Sequence, residues 1–268
     1  MMERSIERSQ LKKNFLNEII MRLDFLGVLQ AEMEKVILEA KPYLKEKSFN
    51  RYNENINNQA FIEGASVKEA TSQIEYCFTS ETAGYTLKLS NTSIILSVRT
   101  AGYSPFEDYS EIFSHIAGIY QEKIDFFTVK RFGLRKINYC FVKRMEDIEV
   151  YFDQRYYCCH EPIAGYSTMA INRTSQLTDG KKNLNLKFAV DQGEIEKEAY
   201  YRVTLDADIY SMDEETITSI ITDKEQMMAT NEILFKVYCG VIAESLFNIL
   251  SSDEDNIPDG LAGIESNE

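Results

Sequence analysis

FFTVKRFGLRKINYCFV, the stretch from Phe126 to Val142, is long and rich in β-branched and aromatic residues, which favour strands. Side chains alternate between the two faces of a strand, so this stretch divides into two sets of residues. One face carries Val129, Arg131, Gly133, Arg135, Ile137 and Tyr139. The other face carries Lys130, Phe132, Leu134, Lys136 and Asn138. Such a strand needs partner strands, and the flanking sequence supplies them.

The sequence before this strand predicts further strands and a helix. Residues 14–26 form an apolar, partly alternating run that predicts a strand, and residues 29–44 have helical spacing that ends at Pro42. Residues 45–60 are polar and predict a loop. Three strands are then expected as an antiparallel meander, at Ile74–Thr79, Tyr85–Leu89 and Ser93–Arg99.

A helix is predicted directly before the long strand. Ser104 suits the N-cap, Pro105 suits the first helical position, and Glu107 stands where a capping box has its acid. We expect this helix to run to about Lys123. Its apolar residues have the spacing of a helix that packs on a sheet, and they are Phe106, Tyr109, Phe113, Ile116 and Tyr120.

The second half of the sequence predicts more strands and a last helix. The strands are expected at Tyr151–Tyr157, Tyr166–Arg173, Leu184–Val190 and Ala199–Asp208. The segments Thr178–Lys181 and Asp191–Glu194 carry Asp and Gly where hairpin turns need them. The last helix is expected to begin at Asp223 and to reach about Leu250.

These patterns together predict one α+β domain over residues 1–250. Its sheet is antiparallel or mixed, with three helices packed on it, and the order of elements is compatible with two similar halves. Residues 251–268 are acidic, contain proline and glycine, and predict a disordered tail.

Composition and charge exclude several classes of protein. The chain has 29 basic and 43 acidic side chains, a net charge of −14, and its field repels nucleic acid and anionic membranes. Its first residues, MMERSIERSQ, contain no apolar leader, and Leu234–Leu250 is too short and too charged to span a bilayer. Five cysteines without C-x-x-C spacing fit free thiols. We therefore expect a cytoplasmic protein with no membrane contact.

The segment Arg131–Asn138 matches the pattern R-x-G-L-R-x-x-N and resembles a sporadically distributed family of conserved hypothetical bacterial proteins. Lys13–Leu16, Tyr103 with Phe106 and Glu107, and Asn231 after Ile221–Asp223 resemble the same family in the same order. Lys136 stands where the family has an aromatic residue. The resemblance spans about residues 11–250 and implies no reaction, because none is assigned to the family. Its patchy distribution is similar to that of genes in mobile or defence islands.

The sequence offers little for catalysis. It has two histidines, of which His115 fits a satisfied or exposed helical residue better than a catalytic one. Cys158, Cys159, His160 and Glu161 are metal-ligand types, but adjacent strand residues point to opposite faces and no second Cys/His pair is near. The motifs G-x-S-x-G, G-x-x-x-x-G-K and G-x-G-x-x-G are absent from the sequence. We expect no catalytic set, no metal and no cofactor.

Basic residues are concentrated in and around the long strand. Residues 123–144 contain one acid, Asp125, and seven basic residues: Lys123, Lys130, Arg131, Arg135, Lys136, Lys143 and Arg144. Two arginines flank Gly133, whose missing side chain lets a partner group approach, and guanidinium groups suit a carboxylate or a phosphate. The candidate binding residues are Lys130, Arg131, Gly133, Arg135, Lys136 and Asn138.

Two other interpretations of this strand remain open. Both arginines can be partly buried and paired with Glu18, Asp24 or another acid of a neighbouring strand. The basic, aromatic strand can also bind single-stranded nucleic acid.

The functional expectation is a non-enzymatic binding or accessory protein of the bacterial cytoplasm, in a mobile-element or antiviral defence setting. Its expected partner is another protein or a second copy of the chain. The alternative is a nucleic-acid-binding or nuclease-type defence protein that uses residues 123–144.

Overall fold

A computed structural model describes residues 6–63, 66–99, 105–158, 164–166, 168–254 and 257–266. Within these residues the protein is an α+β protein with an antiparallel sheet of ten strands, a separate pair of short strands and six α-helices. The predicted fold class and the antiparallel sheet are therefore confirmed, whereas the predicted three helices are too few.

The helices and strands have the following bounds. The helices are α1 (Gln30–Glu46), α2 (Phe106–Lys123), α3 (Ile148–Tyr151), α4 (Glu214–Thr222), α5 (Lys224–Val241) and α6 (Glu244–Ser251). The strands are β1 (Lys13–Asn14), β2 (Leu16–Phe25), β3 (Arg51–Glu63), β4 (Ser66–Ser80), β5 (Tyr85–Leu89), β6 (Ser93–Arg99), β7 (Val129–Val142), β8 (Ile171–Thr178), β9 (Asn183–Ile195), β10 (Glu198–Ser211), β11 (Leu261–Ala262) and β12 (Glu265–Ser266).

The chain divides into two compact units, where the sequence predicts one domain. Unit 1 comprises Met1–Ile19, Arg135–Ile209 and Ala229–Glu268, and unit 2 comprises Ile20–Leu134 and Tyr210–Met228. Strands β2, β7 and β10 and helix α5 each have residues in both units.

Unit 2 is built on the strand order β3-β4-β5-β6-β2-β7. Strands β3 to β6 pair antiparallel in sequence, which confirms the predicted meander. Helix α2 buries all five apolar residues of its predicted stripe, because this face packs on the sheet. Pro105 is its N-cap, and the predicted N-cap Ser104 lies outside the described residues.

Two predictions in unit 2 are wrong. Residues 51–63 form strand β3 and not a loop, because main-chain pairing with β4 needs no apolar side chains, and residues 51–56 are exposed. Pro42 lies inside α1 and does not end it. The helix continues to Glu46, since Ala40 and Leu44 are both buried on either side of the proline.

Unit 1 is built on the strand order β2-β7-β10-β9-β8. Its core contains a chain of touching rings, formed by Phe15, Phe152, Tyr157 and Phe188. Strands β8 and β9 form an antiparallel hairpin. Its turn is the predicted one, where the Asp179 carboxylate accepts hydrogen bonds from the amides of Lys181 and Lys182.

Three strand predictions in unit 1 need correction. Residues 151–157 form no strand, because α3 ends at Tyr151 and Phe152 makes only a single bridge to Ile242. The strand expected from Tyr166 begins at Ile171. Strand β9 runs through Asp191–Glu194 to Ile195, and the turn follows at Glu196 and Lys197, which both have positive φ.

The last helix of the sequence prediction is two helices, α5 and α6, and a further helix, α4, precedes them. Asp213 caps the additional helix α4 by accepting a hydrogen bond from the Thr216 amide. Helix α5 ends at Val241, whose carbonyl accepts from the Asp153 amide at 2.8 Å, and the Ala243 amide donates to Tyr151 at 2.9 Å. These two main-chain bonds separate α5 from α6.

The C-terminal residues differ from the disordered tail that composition predicts. Strand β11 pairs antiparallel with β7, Leu261 opposite Val142, and strand β12 pairs with β1. Leu261 and Ile264 are buried, at 5% and 9% exposure. Main-chain pairing and two buried apolar side chains therefore hold residues 257–266 against the rest of unit 1.

Candidate functional site

The residues of β7 alternate as the sequence predicts. From Phe132 to Val142 the even-numbered side chains are buried, while Arg131, Arg135, Ile137, Tyr139 and Phe141 are partly exposed. The face with the two arginines is thus the open face of the sheet, and the other face belongs to the core. Arg135 belongs to unit 1 and Arg131 to unit 2.

In unit 1, Arg135 pairs with Asp206 of the neighbouring strand β10. Its Nε and Nη2 donate to the two carboxylate oxygens at 2.7 and 2.6 Å, which is the bidentate geometry of a strong ion pair. The Asp206 side chain is 15% exposed and that of Arg135 43%. The hydrogen bonds to Asp206 raise the pKa of Arg135 above its usual value. The interpretation of Arg135 as the partner of an acid on a neighbouring strand is correct.

A shallow concavity opens beside this ion pair. Its volume is about 250 Å³, and seven of its eight lining residues are polar or charged: Arg135, Thr174, Gln176, Asn185, Lys187, Asp206 and Asp208, with Leu186 as the eighth. We call it the Arg135 concavity. The sequence predicts only Arg135 of these residues as a binding residue. The other residues lie on strands that are distant from β7 in sequence, and no local pattern shows that they lie beside Arg135.

Two groups of the Arg135 concavity have unused bonding capacity. The Oδ1 atom of Asn185 is buried and accepts no hydrogen bond within the part of the chain that the structure describes. Lys187 is exposed and forms no ion pair with any described residue. A buried acceptor without a donor costs free energy.

In unit 2, Arg131 occupies the space that Gly133 leaves open. A Cβ atom at Gly133 would lie 2.9 Å from the Arg131 Nη1 atom. The same guanidinium lies 4.8 Å from the centre of the Tyr210 ring and 4.0 Å from the Asp24 carboxylate. The predicted gap at Gly133 is therefore filled by this chain's own arginine.

Asn138 and Lys136 lie on the core face of β7, in unit 1. Asn138 is 4% exposed and donates from Nδ2 to the Leu205 carbonyl at 3.2 Å. Lys136 is 9% exposed, and burial, together with the nearby Arg8, lowers its pKa to about 7. Neither side chain lies on the open face with the arginines.

Lys130 is exposed near the start of β7 and follows a turn that the sequence analysis did not single out. In this turn, residues 124–128, Phe126 has a φ of 60° and is 98% exposed. Leu26, 46% exposed, lies beside it, because its amide donates to the Thr128 carbonyl at 2.9 Å. We call these residues the Phe126 turn. The sequence feature that marks this turn is the aromatic pair Phe126 and Phe127, which follows the end of helix α2.

The neighbouring Phe127 shows that the turn is anchored. Its ring contacts those of Phe25 and Tyr120, with centroid distances of 4.9 and 5.9 Å. Phe127 thus holds the turn on unit 2, while Phe126 points away from any packing.

The possible catalytic and metal-ligating residues do not form a cluster among the described residues. His115 is exposed and stacks on Tyr43 with ring centres 3.7 Å apart. Cys158 is exposed, but the predicted ligand types Cys159, His160 and Glu161 lie outside the described residues. Within the described ranges, no three His, Cys, Asp or Glu side chains are grouped as metal ligands would be.

The helices also bear on membrane contact. None of those in the described part of the chain is both long and apolar enough to cross a bilayer.

Comparison with known proteins finds little. No family model matches the chain, and no curated protein matches its sequence. The solved structure described as "Crystal structure of the di-domain ARO/CYC StfQ from the steffimycin biosynthetic pathway" is similar over 87% of this chain and 97% of that chain. The identity is 7% and the TM-score is 0.19, so this similarity carries no argument about fold or function.

Proposed function

We propose that this is a non-enzymatic accessory protein of the bacterial cytoplasm that binds another protein through the Phe126 turn. The observation that supports the proposal most is a fully exposed phenylalanine in left-handed backbone conformation. Turns of this kind ordinarily place glycine or asparagine at such a position, because these residues adopt positive φ at little cost.

The energetics of Phe126 argue for a partner. A left-handed conformation costs a bulky residue about 1–2 kcal/mol. At 98% exposure the ring recovers none of this by burial in its own chain. Strained residues that the fold does not need are found at functional positions. Insertion of the ring into an apolar pocket of a partner would recover about 1.5–3 kcal/mol.

The shape of the Phe126 turn and the net charge of the chain favour a protein over a membrane as the partner. A single aromatic ring at the tip of a turn fits a pocket better than a flat surface. The net charge of −14 opposes approach to anionic lipid. The resemblance to a sporadic bacterial family is the support for a mobile-element or antiviral defence setting.

The test compares Phe126→Ser with Leu38→Ser in the full chain. Leu38 lies on α1 of the same unit and is 71% exposed, so it is a matched apolar control. Sedimentation velocity first measures whether the chain associates with itself. Affinity purification from the native cell should then recover a protein with wild type and Leu38→Ser and lose it with Phe126→Ser. Equal recovery with all three chains would contradict the proposal.

A further inference from the structure

Strand β3 is the outermost strand of unit 2, and its outer edge is open. It pairs with β4 on one side, and no other described strand pairs with it. In such an edge strand, about half of the residues direct their main-chain N–H and C=O groups away from the sheet. Strand β3 has 13 residues, whereas strands average roughly 5–6 residues. An edge of this length is a template for pairing with another strand.

Strand β3 lacks the features by which proteins usually block an open edge, which are lysine, proline, a bulge or short length. The segment Arg51–Glu63 contains neither lysine nor proline. The register shift at Phe61 and Ile62 inserts Lys68 into β4, so β3 itself carries no extra residue. Residues 51–56 are exposed. The edge is therefore available to a second strand.

The pair of strands β3 and β4 also extends beyond the rest of the sheet. Strand β5 pairs with β4 only through residues 76–80. Residues 55–63 and 66–75 therefore form a two-stranded ribbon, with no third strand from the described part of the chain. A ribbon of two strands is marginally stable in water, and additional strands stabilise it. A strand added at the edge of β3 would supply this stabilisation.

The residues of β3 are complementary to a second copy of the same strand. Antiparallel pairing of two copies over all 13 residues has its two-fold axis at Asn57. Arg51 then lies opposite Glu63 of the second copy at both ends of the pairing, and Glu54 lies opposite Ala60. Opposite charges that face each other across two strands stabilise the pairing, and like charges oppose it. In this register no two like charges face each other.

The existing ion pair of Arg51 is compatible with this arrangement. Its Nη1 atom lies 2.9 Å from the Glu81 carboxylate, and both side chains are exposed. A guanidinium group has five N–H donors, so Arg51 can bind a second carboxylate as well.

We infer that β3 is a dimerisation strand, which pairs antiparallel with β3 of a second copy of this chain. The two ribbons then form one four-stranded sheet in the order β4-β3-β3-β4. The shared edge is about 44 Å long, at ~3.4 Å per residue. It is also narrow, which is typical of a weak, reversible dimer. This inference goes beyond the proposed function and does not depend on it.

Sedimentation velocity of the full chain, from about 1 to about 100 µM, measures the self-association. We expect a concentration-dependent change from monomer to dimer. Asn57→Lys should weaken the dimer at least tenfold, because it places two like charges opposite each other on the axis. Asn53→Lys is the matched control, since it makes the same change of charge on the same strand but faces Phe61 of the second copy. It should leave the dimer unchanged.

Two results would overturn the inference. One is a monomer at every concentration, which would leave the edge to a strand of a different protein. The other is equal self-association of Asn57→Lys and Asn53→Lys. Both variants reduce the net negative charge, so a general effect of charge would act on both alike.

A charge exchange tests the register of the two strands. Arg51→Glu should weaken the dimer, because acids then face each other at both ends, and the double variant Arg51→Glu with Glu63→Arg should restore it. Glu81→Gln is the control for the existing ion pair and should leave the dimer unchanged. Failure of the double variant to recover would overturn the register. Phe126→Ser changes no residue of β3 and should leave self-association unchanged, so the two proposals fail separately.

Discussion

Arg135 and Lys136 are adjacent in β7, yet their surroundings differ because they lie on opposite faces of the strand. Arg135 is half-exposed and held by a carboxylate, while Lys136 is buried and close to another cation. The same charge therefore contributes to stability in one position and opposes it in the other.

Removal of Arg135 should destabilise the fold. Arg135→Ala leaves the Asp206 carboxylate, 15% exposed, without its two donors, so we expect a loss of about 1–3 kcal/mol. For a chain of this size, each kcal/mol lowers Tm by roughly 2–4 °C. Arg202→Ala is the control, because the Arg202–Asp191 pair is exposed on both sides and should contribute little. Thermal unfolding measures Tm for both variants. Equal Tm values would show that the partial burial of Asp206 does not make its ion pair more stabilising than an exposed one.

Removal of Lys136 should have the opposite effect. The pKa of Lys136 is about 7 in the folded protein and 10.5 in an ordinary lysine, so between these values the unfolded chain binds more protons. This lysine therefore makes the fold less stable as the pH falls from about 10.5 to about 7. The slope reaches at most ~1.4 kcal/mol per pH unit.

Lys136→Met tests this linkage. The variant should be more stable than wild type at pH 7, by about 1–3 kcal/mol, and the advantage should shrink at pH 9. Urea unfolding at both pH values measures it, with Lys236→Met as the exposed control. An advantage of the same size at both pH values would mean that Lys136 does not titrate in this range.

Among the elements, the short C-terminal strand β11 allows a direct test of how the tail is held. Leu261 and Ile264 are buried, so the double change Leu261→Ser with Ile264→Ser should cost about 3 kcal/mol or more. Leu177→Ser, at a leucine that is 52% exposed in the same unit, should cost little. Chemical denaturation gives both values. Wild-type stability in the double variant would contradict this packing and would support the disordered tail that composition predicts.

The elements that the sequence predicts well are those whose own residues determine them. The α2 stripe and the Asp179–Gly180 turn are local patterns, and both occur as predicted. The missed elements depend on distant partners. Residues 51–56 become a strand through β4, and Leu261 through β7. The turn at Glu196 and Lys197 has positive φ without glycine, while Gly193 nearby gave a misleading signal.

The candidate sites show the same contrast between local patterns, which the sequence predicts, and distant partners, which it does not. Alternation along β7 predicts which residues share the arginine face, and the burial pattern agrees from Phe132 to Val142, whereas Val129 is buried and Lys130 is exposed at the start of the strand. The sequence cannot assign Asp206 as the partner of Arg135, because 71 residues separate them. Nor does it indicate that Arg131 covers Gly133, since that depends on the side-chain conformation of the arginine.

For the molecule as a whole, net charge and the pairing of the basic residues argue against the nucleic-acid alternative. Residues 123–144 are basic in sequence, but most of their charges are neutralised in the structure. The pairs are Lys123–Glu122, Arg131–Asp24, Arg135–Asp206, Lys143–Glu198 and Arg144–Asp147. Lys136 is buried, and Lys130 is exposed. A strand with one freely exposed cation neutralises few phosphates.

We therefore expect no saturable binding of a labelled single-stranded oligonucleotide, at about 50 or about 200 mM salt, by fluorescence anisotropy. The charge-removal variant Asp147→Asn with Glu198→Gln frees Arg144 and Lys143 from their carboxylates, both in unit 1, and should gain weak binding at the lower salt. That gain would show that the acidic partners, and not the shape of the strand, prevent association. Tight wild-type binding that falls by about a thousandfold between the two salt concentrations would instead establish the nucleic-acid function, because such a slope requires several phosphate contacts.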